Sequence, residues 1–256
     1  MKFSLKTLAA AVVMAAAATG ANAAIDNGAG GNGDLFFNIW DASGSYTRDL
    51  GYSIDSFQAA LSAGGDIDLS WAADATFTSF LAGVSDVNAL KWNIVAVDKM
   101  GDNRLLETYT TLPSPLKTDD VTRTAANNTR DFATAVNGVI GAADSVTVDS
   151  ASAAWAGKDS FKDTAAGFLG FSNAGTVANN SYADGLGFMR IDAKVGLKAK
   201  SVYTPYVDGQ NVKAYLDGSD LHLSAAVAAV PEPESYAMLL AGLGMIGFMA
   251  RRNKRA

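Results

Sequence analysis

Apolar and polar residues alternate over much of this chain with a period of two, the spacing of a strand with one buried face. Leu35, Phe37 and Ile39 share one side of a predicted strand at residues 35–40. Residues 46–52 and 66–71 follow, the second with Ile67, Leu69 and Trp71 two apart. Phe57, Ala60 and Leu61 suit a short helical turn at residues 56–62. Residues 90–98 and 104–111 read as a hairpin around residues 99–103, where Gly101 and Asn103 suit positive φ. Near the C-terminal end, residues 201–207, 210–216 and 221–227 flank Asp208-Gly209 and Asp217-Gly218, which predicts a three-stranded meander. Leu221, Leu223, Ala225 and Val227 share its inner face, so His222 points the other way, to solvent.

One segment follows the helical period instead. Behind Pro113 and Pro115, the stretch 118–139 opens on Thr118, Asp119 and Asp120 and carries Val121, Ala125, Phe132, Val136 and Val139 at helical spacing, interrupted by Asn127-Asn128-Thr129. It is expected to cover an edge or end of the sheet, with Asp119 and Asp120 compensating its N-terminal dipole. The whole predicts a mainly β fold, a β-sandwich or jelly-roll-like domain of ten to twelve short strands with one or two short helices.

The two ends break this pattern. Residues 1–23 pair Lys2 and Lys6 with an apolar run and end in Ala21-Asn22-Ala23, the layout of a secretory signal peptide cut after Ala23. The partners this implies are the Sec translocon and signal peptidase. Asn27 to Gly33 read as a flexible Gly-rich leader, residues 24–33, ahead of the exported β-rich domain at residues 34–230. At the other end Pro231-Glu232-Pro233 precedes fifteen uncharged residues, Tyr236 to Ala250, and the basic tail Arg251-Arg252-Asn253-Lys254-Arg255-Ala256. Fifteen helical residues span about 22 Å, short of the roughly 30 Å hydrocarbon core, and snorkelling basic side chains supply part of the difference. Arg251, Arg252, Lys254 and Arg255 act as a membrane stop and hold the C-terminus inside, so a single transmembrane helix at residues 236–250 runs N-out, C-in. The prolines at 231 and 233 keep the preceding segment extended and open to a protease.

The proline motif, short span and basic tail together resemble the PEP-CTERM sorting signal, here residues 231–256. The resemblance implies an exosortase partner that processes the protein near the motif. It also implies transient membrane anchoring, then a surface or extracellular location linked to exopolysaccharide and biofilm.

Composition narrows what the exported part can do. The net charge of −6 hides an uneven distribution: residues 24–230 hold 14 Lys and Arg against 24 Asp and Glu, a balance of −10. Such an acidic domain is a poor partner for nucleic acid. With no Cys, disulfides, thiol catalysis and thiolate metal sites are excluded. The one imidazole, His222, has no Gly-x-Ser-x-Gly elbow to serve. Twenty-three of the 24 acids are aspartates, Glu107 being the exception, and aspartate-rich exported loops favour calcium over softer metals. Asp66 and Asp68, two apart on one strand face, are the weak candidate metal ligands and also the only acid pair to name for a secreted hydrolase. No other cofactor is indicated. The expected function is a non-catalytic structural or adhesive one; the alternatives are a carbohydrate-active hydrolase or a lectin-like binding domain built on exposed aromatics.

Overall fold

A computed structural model describes residues 24–62, 67–98, 103–162, 169–193, 198–206 and 211–226. In chain order the elements are β1 (Asp34–Trp40), β2 (Gly44–Ser53), α1 (Ile54–Ser62), β3 (Asp68–Trp71), α2 (Ala75–Gly83), β4 (Lys91–Val97) and β5 (Arg104–Tyr109). They continue with α3 (Asp119–Ile140), β6 (Ser145–Asp149), β7 (Gly175–Thr176), β8 (Leu186–Asp192), β9 (Val202–Pro205), β10 (Asn211–Asp217) and β11 (Asp220–Ala226).

All strands join one antiparallel sheet in the order β3-β11-β10-β8-β5-β4-β1-β2-β6, with β7 added on β4 and β9 on β8. The fold is mainly β, as the alternation predicts, but one sheet curled on itself takes the place of two opposed sheets. Side chains of β3 meet β2 across the curl: the Trp71 indole donates to the Leu50 carbonyl at 3.1 Å, and its ring stands edge-on to Tyr52 at 6.1 Å. Arg48 on β2 reaches the Ala72 carbonyl just past β3, at 2.7 Å.

The inner face encloses the larger core. Leu35, Phe37 and Ile39 of β1 meet Leu69 and Trp71 of β3, Leu221 and Leu223 of β11, and Phe57 of α1. α2 closes one side of this core with Phe77 and Phe80. Its N-terminus is capped by Asp74, whose Oδ1 accepts the Phe77 N–H at 2.7 Å while Oδ2 accepts the Tyr46 hydroxyl at 2.7 Å.

Over β1, β4 and β5 the outer face is not left to solvent, because α3 lies across it. Its buried stripe, Thr122, Ala125, Thr129, Phe132, Ala133, Val136 and Ile140, steps by three or four residues as a one-sided helix must. Phe36, Trp40 and Val95 from the strands meet it. β1 is therefore buried on both faces, although the expectation gave it one. α3 is also unbroken through Asn127-Asn128-Thr129, since Thr129 turns inward and its hydroxyl bonds the Ala125 carbonyl at 2.9 Å. It covers the sheet's face, not an edge or end.

Two local expectations are corrected. The segment 24–33 is docked and not a loose leader: Ile25 is buried against α3, and Asn137 both accepts from its N–H at 2.9 Å and donates to its carbonyl at 2.8 Å. Gly28, at φ +68°, lies so close to the Val97 carbonyl that any Cβ would collide with it. The meander also pairs differently. β10 and β11 form the expected hairpin, with Gly218 at φ +62° in its turn. β9 instead pairs with β8, from Met189↔Pro205 to Asp192↔Val202, so β9 and β10 share one edge of β8 in succession.

Every residue of the three apolar cores lies between Ile25 and Ala225. These cores, drawn from the described residues alone, give the stretch from Ile25 to Ala225 a substantial interior of its own.

Candidate functional site

Polar groups gather between the sheet's outer face and α3. Thr47, Asn38 and Asn93 stand side by side on β2, β1 and β4 in one cross-strand row, all buried. The Thr47 hydroxyl donates to Asn38 Oδ1 at 3.0 Å, and Asn38 Nδ2 donates to Asn93 Oδ1 at 2.9 Å. Asn93 Nδ2 in turn reaches the Gly170 carbonyl at 3.4 Å. The same Gly170 gives its N–H to Glu107 Oε2 on β5. Gly170 is therefore held at both its backbone polar groups, and it takes φ +55°, where a Cβ would be strained.

Glu107 is fully buried, and its second oxygen, Oε1, has no partner. Burial pushes its carboxyl up to about 8, against an ordinary 4.5, with the Gly170 N–H acting in the opposite direction. Burial thus favours the protonated, neutral form of this carboxyl at neutral pH. A carboxyl sealed at 0 % exposure fastens a loop; it is not placed to meet a substrate.

A second polar group sits under the start of α3. Ser201 Oγ lies 2.8 Å from both Asp119 Oδ1 and Thr122 Oγ1, and its single proton serves one of them at a time. Asp119 is wholly buried there, so it anchors the helix to the segment before β9 and does not face solvent at the helix end. Asp120 remains exposed, and the Thr118 hydroxyl holds its carboxyl below the ordinary range. Burial raises the neighbouring Tyr203 hydroxyl to about 12. A cavity of about 100 Å³ opens beside Thr122, Arg123 and Asn103. It has room for a few waters and falls short of a small-molecule pocket.

The sequence-predicted residues lie elsewhere. Ala21, Ala23, Asp66, Pro231, Glu232, Pro233, Arg251, Arg252, Lys254 and Arg255 are outside the described residues. Asp68 is on the bare outer face of β3 and accepts the Ser224 hydroxyl at 2.7 Å. Among the described residues no group of three or more His, Cys, Asp or Glu is arranged to hold a metal. His222 does face outward, but it is half-buried, stacked on Tyr215 at 4.9 Å with Tyr182 edge-on to that ring. Trp40, Trp71 and Trp92 are buried. Glu107 was missed as a site residue, although a lone glutamate among aspartates, set between Leu106 and Thr108, was a signal that could have found it.

By fold this is an antiparallel β protein whose buried polar groups lock a helix and a loop onto a curled sheet. Residues 229–255 match the family model of the PEP-CTERM protein-sorting motif, so the chain carries the signal of an exosortase-targeted secreted protein: export, processing at the membrane, then the cell surface. The match covers the sorting segment and does not extend over the β domain. No curated protein and no solved structure matches the chain. Among the described residues no helix is long and apolar enough to cross a membrane, and the predicted span at residues 236–250 lies outside them.

Proposed function

We propose that the mature protein is a non-catalytic structural or adhesive component outside the cell, associated with exopolysaccharide or a biofilm matrix. The observation that carries this reading is the sorting motif at residues 229–255. The commitment of buried Glu107 and three tryptophans to packing supports it. Deleting residues 231–256 is expected to leave the exported domain folded but to remove it from the surface and polysaccharide fractions. Fractionation with an antibody to the domain reads this, and an unchanged distribution would sink the sorting role.

A second reading has one observation in its favour. Tyr182, Tyr215 and His222 form a half-exposed aromatic group where, among the described residues, no helix covers the outer face of β10 and β11. Ring faces of this kind take the C–H faces of sugars, which would make the domain lectin-like. Tyr215→Ala with His222→Ala should then weaken retention on an exopolysaccharide column by roughly tenfold. Equal retention of the variant would remove this reading.

A further inference from the structure

We propose that the end of the sheet bearing Leu116, Lys198, Lys200 and Val202 docks on an anionic phospholipid bilayer and holds the domain upright on the membrane before processing. The inference rests on the reading of residues 236–250 as a membrane segment. Two segments are zipped together at this end: Ser201 N–H donates to the Lys117 carbonyl at 3.1 Å, and Asp119 N–H donates to the Ala199 carbonyl at 2.9 Å. Lys200 Nζ bonds the Leu116 carbonyl at 2.7 Å, which sets a cation directly beside an exposed leucine. Leu116 and Val202 are two of the five large apolar side chains exposed among the described residues. Apolar tips ringed by lysines are the composition of a surface that enters the headgroup layer.

Charge and topology both select the occupant. The exported part carries a balance of −10, so an anionic bilayer repels it on most sides. Lys198 and Lys200 are exposed at this end. Of the acids close by, Asp119 is buried, Asp192 is paired with Arg190 at 2.6 Å, Asp98 and Asp55 are both held by Arg104 opposite Asp192, and Asp120 lies within the field of Lys198. Val202 sits opposite Asp192, the last residue of β8. β10 runs antiparallel to β8 and β11 antiparallel to β10, so Ala226, opposite Asn211, leaves the sheet toward that same end. Nine residues separate Ala226 from Tyr236, a reach of at most about 35 Å. The last described strand therefore points out of the sheet at the end that carries the lysines, Leu116 and Val202.

The test uses residues 24–230 with two kinds of vesicle, phosphatidylglycerol mixed with phosphatidylethanolamine, and pure phosphatidylcholine. Sedimentation with the anionic vesicles alone is expected, weakening as salt rises. Lys198→Gln with Lys200→Gln should lower partitioning roughly 30-fold, at about 1 kcal/mol per lysine. Leu116→Ser with Val202→Ser should lower it further at low salt, with the melting temperature held in both variants. Absent sedimentation, equal sedimentation on phosphatidylcholine, or indifference to the lysine variant would each overturn the proposal. Self-association that the Leu116→Ser, Val202→Ser variant abolishes would assign this face to a second copy and overturn it as well. The assay does not involve residues 231–256, so its failure is separate from failure of the sorting reading.

Discussion

Phe132→Ala is expected to cost about 3–5 kcal/mol, the range for removing a fully buried phenylalanine. The ring is the point through which α3 grips the sheet and the loops beyond it. It stacks on Phe36 of β1 at 5.9 Å, stands edge-on to Phe161 at 5.0 Å and lies 4.7 Å from Phe171. No water reaches it, and neighbours fixed by the sheet cannot collapse into the space it leaves, so the cavity term adds to the lost transfer energy. Phe132 is the largest side chain of the buried stripe, and Asn127-Asn128-Thr129 are poor helix formers, so packing has to hold this helix. At about 2–4 °C per kcal/mol, the melting temperature should fall by roughly 10 °C or more. Val139→Ala, on the exposed side of the same helix, should stay within about 0.5 kcal/mol. Thermal unfolding of the two variants side by side decides it: similar small losses would mean that α3 does not pack on the sheet.

Glu107→Gln should change how stability depends on pH. The folded carboxyl titrates near 8, well above its ordinary 4.5, so between those values the native state holds a proton that the unfolded chain has released. Stability then falls as pH rises through that window, by at most about 1.4 kcal/mol per unit, and levels off above 8. Asp49, which burial raises to about 6, acts in the same direction lower down. The clean interval is therefore pH 6 to 8, where Glu107 contributes on the order of 2–3 kcal/mol. Glutamine keeps an oxygen for the Gly170 N–H and places an amide where the proton was, so the clamp survives and the titration is lost. The wild-type melting temperature should drop relative to Glu107→Gln across pH 6–8 and run parallel to it above. Parallel curves throughout would show that Glu107 is not buried as a neutral acid.

Much of the fold was legible because its signals are local. Leu35, Phe37 and Ile39 point into one core because side chains alternate along a strand whatever its partner. Gly218 turns the β10–β11 hairpin because positive φ is cheap there. α2 escaped notice because Ala75–Gly83 is apolar nearly all round, which blurs its helical period, yet Asp74 ahead of Phe77 and Phe80 was a usable start signal. The β9 pairing was not legible at all. Asp208-Gly209 is a sound hairpin signal, but the free edge of β8 competes for β9, and that competitor is distant in sequence.

The candidate site divides in the same way. By itself the sequence carried the sorting signal, because a proline motif with an apolar run and a basic tail is a linear pattern, and the family match covers it. It also determined the strand periodicity and the acidic character of the exported part. Only the tertiary structure decided that one curled sheet replaces two opposed ones, that α3 makes the outer face of β1 a second interior, and that Glu107 is clamped to Gly170. Each of those depends on which distant surfaces share burial, and burial is a property of the assembled chain: an isolated strand cannot show whether its second face will meet water or a helix.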